Sequence, residues 1–284
     1  MKYKVFGALV IAIVLLILIK PVENTASGTE VNNTQIVCDK NDDAMYYSSL
    51  DDTEKRVYDK ILQDLLSFNR ITEVYSYNAD NFKVLYKCVL ADHPEIFYMK
   101  HGEMTIAHNG DGTDNIKASW EYYVTQEYAN AVNEKMNEHV DELKRRIDGI
   151  TDDYEKLRIS CEIIMHLAEY DINGFNTQNI DSVFMWGKTV CGGYARAFKY
   201  LANSIGIDCK FVVGYADDVY HAWNKVYVNG EEFCIDVTWC DAKGNLDLFM
   251  VPIEEFSKTH VENENYILIE DALAEYNEDL YIIK

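Results

Sequence analysis

A cysteine followed by two glycines stands at the start of a predicted helix. In the stretch VCGGYARAFKYLANSIGI, apolar residues recur at helical spacing and Gly206 stands where a C-terminal cap belongs, which predicts a helix from Cys191 to about Ser204. This position exposes the sulfur to the positive end of the helix dipole and to unpaired amides that can receive an oxyanion. Gly192 and Gly193 let a substrate or another element approach. Cys191 is therefore a candidate nucleophile, the alternative being a small buried apolar residue.

A thiolate nucleophile usually needs a base held by an orienting group. In HAWNKVYVNGEEFCIDVTW, two alternating runs are joined by Asn229-Gly230, which predicts a β-hairpin with a two-residue turn. In that register His221 and Asp236 point to the same side of the sheet as diagonal neighbours, about 7 to 8 Å apart at Cα. A three-residue turn would move Asp236 to the opposite face. The pair is predicted to be base and orienter, the alternative for His221 being a solvent-facing strand histidine.

Three motifs occur together in the second half of the chain. VCGGYARAF, VVGYADDVYHAWNKVYVNG and FCIDVTW resemble the core motifs of the transglutaminase-like superfamily, especially its exported bacterial members. HLAEYDI is similar to the helix and Tyr-Asp pair upstream of the nucleophile, and HPEIFYM to a segment in the N-terminal parts of such proteins. The resemblance implies an α+β, papain-like fold whose nucleophile helix packs on an antiparallel sheet. It also implies Cys191 as nucleophile, His221 as acid and base, and Asp236 as orienter.

Further candidate site residues come with this resemblance. Gln178 matches a glutamine of bacterial relatives and is expected to help the backbone amide of Cys191 bind the oxyanion, the alternative being a loop residue with no role. Asp181-Ser182 stands where many relatives have Tyr-Gly. The candidates for the substrate groove are Gly192, Trp223 and Trp239. For the two tryptophans, packing in the core is the alternative.

Composition bounds the partners and cofactors. The formal net charge of −22 argues against nucleic acid and favours neutral or cationic partners, unless the carboxylates only keep the protein soluble. The seven cysteines form no CxxC pair and no Asp-rich loop has calcium-ligand spacing, so neither a metal nor another cofactor is expected. An odd number of cysteines leaves one thiol unpaired unless it pairs between chains. A disulfide from Cys191 to Cys209, Cys234 or Cys240 would silence the site.

The N-terminal segments predict the location of the protein. Residues 1–20 hold an apolar run between Lys4 and Lys20, typical of a signal peptide or a short membrane anchor. Residues 21–45 are polar and are predicted to be a flexible linker. Lysines before the apolar run favour a cytoplasmic N-terminus, so we expect the rest of the chain outside the cytoplasm, secreted or anchored to the membrane by this segment if it is uncleaved.

Two regions are predicted after the linker. The first, 46–150, is an α+β region with a helix within 49–68, another that stops before Pro94, strands around HNGDGTDN, and a long helix ending near Ile147. The second, 151–284, is the catalytic region. Asp152 and Glu155 suit a capping box at its start, and IEEFSKTH suggests a helix whose His260 is assigned no chemistry.

These residues together predict acyl transfer through a thioester. The Cys191 thiolate would attack a carboxamide or peptide carbonyl, and His221 would protonate the leaving amine. Transfer to water gives peptide or amide hydrolysis, the favoured interpretation, with cell-wall peptide as a candidate substrate. Transfer to an amine gives protein cross-linking. The alternative from another class is a non-catalytic cell-surface module that keeps the fold and binds a partner in its groove.

Overall fold

The computed structural model of the protein describes residues 46–263. After a 3-10 turn at Tyr46–Ser49, the first part has three helices and one antiparallel sheet of order β1-β3-β2. The elements are α1 (Asp52–Leu66), β1 (Ile71–Tyr77), α2 (Ala79–Asp92), β2 (Met99–His108), β3 (Asp114–Tyr122) and α3 (Gln126–Arg146). The three predicted helices are confirmed, whereas β1 is absent from the sequence prediction.

The ends of these helices follow from local chemistry. Asp51 and Glu54 form a capping box at the start of α1, and α2 ends two residues before Pro94, since the residue before a proline disfavours the helical conformation. At the next helix, α4 (Asp153–Leu167), one half of the predicted capping box is wrong. Asp152 accepts a hydrogen bond from the Tyr154 amide, but the Glu155 side chain bonds Arg158 instead of reaching back to the cap.

The second part has one five-stranded antiparallel sheet of order β10-β6-β7-β8-β9 and a short parallel pair, β4 with β5. Helix α5 packs on β6 and β7. The elements are α4 (Asp153–Leu167), β4 (Glu169–Tyr170), a π-helical turn (Ser182–Trp186), β5 (Lys188–Thr189), α5 (Cys191–Ser204), β6 (Cys209–Ala216), β7 (Val219–Val228), β8 (Glu231–Ile235), α6 (Val237–Lys243), β9 (Val251–Pro252), α7 (Ile253–Phe256) and β10 (His260–Glu262).

The predicted hairpin is confirmed as far as Ile235. Its turn residues Asn229 and Gly230 have φ of 56° and 82°, and the register pairs Val228 with Glu231, as a two-residue turn requires. The prediction that the second strand continues through Asp236 is wrong. The chain turns into α6 there, because the Asp236 side chain accepts a hydrogen bond from the Trp239 amide and caps the new helix.

The two predicted regions share one hydrophobic core. A single cluster of buried side chains contains Phe82, Trp120 and Met136 from the first part, and Phe198 and Val226 from the second. The helix α3 contacts α4 and α5, and so joins the two regions.

The predicted membrane segment 1–20 and linker 21–45 lie outside the described residues, as does the end of the predicted catalytic region, 264–284. Within residues 46–263, no helix has the length and apolar composition needed to cross a membrane.

Candidate active site

Cys191 is the first residue of α5, as predicted, and its thiol is free and half-buried. The N-cap, Val190, has no side-chain acceptor, so it leaves the first-turn amides of the helix without a side-chain cap. Those amides, together with the positive end of the helix dipole, favour negative charge beside the sulfur. Cys209, Cys234 and Cys240 are also free thiols, so the structure does not contain the disulfide that would silence Cys191.

His221 lies on β7, opposite Gly214 of β6, and is 6% exposed. Its Nε2 is 2.8 Å from Asp236 Oδ2, and the Cys191 side chain is near enough to the ring to help raise the pKa of the imidazole. Because Nε2 is engaged by the carboxylate, the Nδ1 atom is the one left to meet the sulfur. The structure therefore brings the three residues of the predicted triad together, with His221 between Cys191 and Asp236.

Asp236 is completely buried between the end of β8 and the start of α6. Its Oδ1 accepts from the backbone amide of Trp239 at 3.0 Å, and its Oδ2 meets His221 Nε2. Burial alone would raise the pKa of the Asp236 carboxyl, but the hydrogen bonds from His221 and His260 outweigh that effect and hold the pKa below its usual value. Asp236 is thus an anion fixed by its backbone position and by its partners.

The imidazole of His221 is expected to stay protonated well above neutral pH. Burial opposes its charge, but hydrogen bonds with Asp236 and Cys191 outweigh burial and raise the pKa of His221 to about 10. Since this lies above the usual value of about 6.5, the contribution of His221 to folding stability is complete below about pH 6.5 and is lost as pH rises through about 10. An NMR titration of ¹⁵N-labelled histidine should show His221 titrating in the alkaline range, and at lower pH in Cys191→Ala. Titration of wild-type His221 near pH 6.5 would contradict this prediction.

The two glycines after Cys191 make room for the segment between β4 and α5. A Cβ atom on Gly192 would clash with Oε1 of Gln178, and a Cβ on Gly193 would clash with the hydroxyls of Thr189 and Ser182. Gln178 is half-buried, and its backbone oxygen accepts a hydrogen bond from Arg196 at 2.7 Å. The side-chain amide of Gln178 therefore lies against Gly192, the residue that follows Cys191.

Replacing Gly193 by alanine should destabilise the fold by about 1 to 3 kcal/mol, because the added methyl group has no room. Its third neighbour is the backbone oxygen of Thr177, which cannot rotate away as a side chain can. Thermal unfolding measures the loss, and Gly110→Ala is the matched control, since no atom lies within 4 Å of its added Cβ. Equal unfolding temperatures for the two variants would contradict this prediction, because they would show that the segment around Thr177 can shift to accommodate the added methyl group.

Asp181 and Ser182 form hydrogen bonds that stabilise the segment between β4 and α5. Ser182 Oγ is 2.6 Å from Thr189 Oγ1, while Asp181 accepts hydrogen bonds from Asn176 at 2.5 Å and from Tyr128 of α3 at 3.0 Å. Asp181 is fully buried, and burial raises its pKa to about 6 although these donors favour the anion. The polar pair that stands in place of Tyr-Gly thus builds the bonds that support Gln178.

The three groove candidates differ in accessibility. Gly192 is buried, and Trp223 is 2% exposed and packs with Val212 and Phe256. Trp239 is half-buried, with its ring 5.8 Å from that of His221. Tyr170 of β4, from the predicted Tyr-Asp pair, is 50% exposed. Its partial burial and, to a smaller extent, the nearby Cys191 raise the pKa of its hydroxyl. Trp239 and Tyr170 are therefore aromatic side chains near the triad that keep exposed surface.

His260 is the residue of the site that sequence reasoning missed. The predicted helix ends at Phe256, and His260 lies instead on β10, where its Nε2 is 3.2 Å from Asp236 Oδ2. A strand of only three residues gives almost no periodic signal, and its partner Ala216 is distant in sequence. Among residues 46–263, His221, Asp236 and His260 form a group whose ligand atoms are close enough to hold a metal ion, although the hydrogen bonds to Asp236 already account for their proximity.

The fold and the site define an α+β protein with a cysteine at the start of a helix, packed on an antiparallel sheet that carries the histidine, and with an aspartate beside it. Residues 141–241 match the sequence model of the transglutaminase-like superfamily. This part of the chain is thus similar to the core of the transglutaminase-like superfamily, and the match contains Cys191, His221 and Asp236.

Individual relatives match parts of the chain. It is 27% identical over 155 residues to the kyphoscoliosis peptidase of Mus musculus, a match over 49% of this chain and 22% of the relative. The Homo sapiens kyphoscoliosis peptidase is 29% identical over 138 residues, 43% of this chain and 20% of the relative. The chain spans about a fifth of the length of these relatives. A crystal structure of a TGase is 18% identical, with a TM-score of 0.36, covering 48% of this chain and 44% of the other.

Proposed function

We propose that this protein is a cysteine hydrolase that cleaves peptide or amide bonds through a thioester intermediate. The observation that carries the proposal is the position of Cys191 at the N-terminus of a helix and beside His221, whose ring is hydrogen-bonded to Asp236. A buried carboxylate that fixes a buried imidazole, with the imidazole against a half-buried thiol, is the arrangement required to generate and maintain a nucleophilic thiolate.

The reaction follows from these positions. The Cys191 sulfur attacks the carbonyl carbon, and the oxyanion that forms is stabilised by first-turn amides of α5 and by the Gln178 side chain. The C–N bond then breaks, with the proton of the His221 imidazolium going to the leaving amine. Water attacks the thioester while His221 accepts a proton from it, the C–S bond breaks, and the carboxylic acid product leaves.

The substrate and the location are part of the proposal. The exposed ring of Tyr170 near the nucleophile and the half-buried ring of Trp239 suit an extended peptide, and the net charge of −22 favours neutral or cationic segments over acidic ones. We place the activity outside the cytoplasmic membrane because residues 1–20 contain a lysine-flanked apolar run. Cell-wall peptide is the first substrate to test. Protease treatment of intact cells tests the location, since a protein inside the cytoplasm would survive it.

The test of the reaction separates three outcomes. The full chain and its Cys191→Ala variant are incubated with a peptide library and with isolated cell-wall peptide, and new amino and carboxyl ends are identified by mass spectrometry. We expect new ends that depend on Cys191. A parallel incubation contains a fluorescent primary amine and a glutamine-containing protein, where stable incorporation of the amine would show cross-linking instead. If neither product forms and iodoacetamide does not label Cys191 rapidly, the fold serves as a binding module.

A further inference from the structure

We propose that His260 is a positioning residue, a second imidazole that donates a hydrogen bond to Asp236 and keeps this buried carboxylate ionised. His260 thereby sets the lowest pH at which Cys191, paired with His221, remains reactive. Its catalytic meaning rests on the proposed function, although its structural basis does not. His260 is outside the sequence motifs of the core and follows the matched segment 141–241.

The surroundings of His260 favour a specific hydrogen bond over simple packing. Its side chain has no exposed surface, and its ring stacks on Phe256 with centroids 3.9 Å apart. Trp223 and Trp239 also face the ring, at 5.2 and 4.9 Å between centroids. A phenylalanine would satisfy such an aromatic cage. The structure instead has an imidazole whose Nε2 is directed at Asp236 Oδ2, at 3.2 Å.

The direction of this hydrogen bond is fixed by chemistry. An ionised carboxylate only accepts, so Nε2 of His260 carries the proton. The other ring nitrogen is 2.8 Å from Thr259 Oγ1, a hydroxyl that can donate or accept. Both imidazoles therefore point an N–H group at the same carboxylate oxygen, while the Trp239 amide occupies the other.

A carboxylate without solvent contact depends on its donors for ionisation. Burial raises the pKa of Asp236, and the hydrogen bonds from His221 and His260 lower it. Without His260 the balance moves toward the protonated acid, and a neutral Asp236 no longer stabilises the His221 imidazolium. The loss should therefore appear first at acidic pH, where Asp236 begins to take up a proton.

Other titratable groups surround Asp236 and His260 and have to be considered in any pH profile. Thiols approach from α4, α5 and α6, namely Cys161, Cys191 and Cys240. A hydrogen bond with Cys240, together with burial, raises the pKa of Cys161, so that thiol stays neutral. Lys225 and Glu262 line a cavity with His260 and form an ion pair of 2.6 Å with each other.

The test is the rate of Cys191 alkylation by iodoacetamide in the full chain, followed by peptide mass spectrometry from roughly pH 4 to 8. His260→Phe keeps the aromatic packing and removes the donor, whereas His260→Gln places an amide N–H near the position of Nε2. We expect His260→Phe to move the acid limb up by about one pH unit, which is about a tenfold slower rate at the acid end, and to leave the plateau unchanged. His260→Gln should restore most of the wild-type profile.

Each other result would overturn the inference. An unchanged limb in His260→Phe, or an equal fall at every pH in both variants, would leave His260 with packing alone. Alkylation needs no substrate, so it separates this proposal from the proposed function: slow labelling of the wild type would count against the activated thiol itself. A wild-type rate that rises on adding EDTA would show the two imidazoles holding a metal ion with Asp236, which also contradicts a shared carboxylate.

A second measurement covers the case in which His260→Phe does not fold. In the ¹⁵N-histidine-labelled wild-type chain, the two imidazole N–H protons bonded to Asp236 should both appear as downfield NMR signals that exchange slowly with water. One of the two should move or disappear in His260→Gln. If the wild-type protein shows a single such signal, assigned to His221, the hydrogen bond from His260 is absent.

Discussion

Replacing Cys191 by alanine is expected to lower the turnover of a peptide or amide substrate by about 10⁴-fold or more, because the only atom that forms the thioester is removed. The variant should fold, since Cys191 is half-buried and its neighbours Ala195, Val213 and Ala222 form a small cluster that does not depend on the sulfur. The measurement is the initial rate of product formation at saturating substrate.

Cys209→Ala is the matched control for this experiment. Cys209 is a free, fully buried thiol on β6, and burial raises its pKa to about 12, which makes it unreactive. Its variant should retain wild-type turnover within about threefold, with a modest loss of stability from the small cavity. More than about one per cent of the wild-type rate in Cys191→Ala would mean that another residue supplies the nucleophile.

Replacing Asp236 by asparagine should lower turnover by about 10³ to 10⁴-fold. Asparagine keeps the shape and can still cap α6, but its amide group carries no charge to stabilise the His221 imidazolium. Its NH₂ group also cannot accept the N–H groups that two histidines direct at Oδ2. The measurement is turnover together with the alkylation rate of Cys191, both of which should fall.

Two further variants separate charge from folding at this position. Asp236→Ala loses the helix cap as well, so it should be less stable than Asp236→Asn by about 1 kcal/mol in thermal unfolding. Asp241→Asn changes a carboxylate on the same helix that bonds Tyr194 at 2.6 Å, and it should leave the alkylation rate nearly unchanged. If Asp241→Asn and Asp236→Asn slow alkylation equally, the effect of Asp236 is a general one of α6.

The elements that local pattern determines could be predicted from the sequence. Helix α5 has the predicted bounds because its apolar spacing and Gly206, with φ of 79°, mark its face and its end. The turn at Asn229-Gly230 fixed the register of the hairpin and so placed His221 correctly along β7. These signals involve only a few neighbouring residues, so they can be interpreted without knowledge of the tertiary structure.

The errors occur where two local preferences compete or where contacts are distant in sequence. Val237 and Thr238 favour a strand, yet Asp236 can cap a helix, and the cap prevails once the carboxylate is buried against His221. The position of His260 depends on β10 pairing with β6, and the support of Gln178 depends on the closure of its segment against Gly193. Neither of these contacts can be predicted from the spacing of residues that are close in sequence.

The hydrogen bond between Tyr128 and Asp181 has a consequence for how the polypeptide can be divided. Tyr128 belongs to the first region, whereas the buried Asp181 belongs to the segment that supports Gln178. A polypeptide expressed from residue 151 onward would lose this donor and leave the carboxylate short of a partner, and it would expose the apolar faces of α4 and α5 that α3 covers. We therefore expect residues 46–263 to unfold in one cooperative transition, and the shortened polypeptide to aggregate.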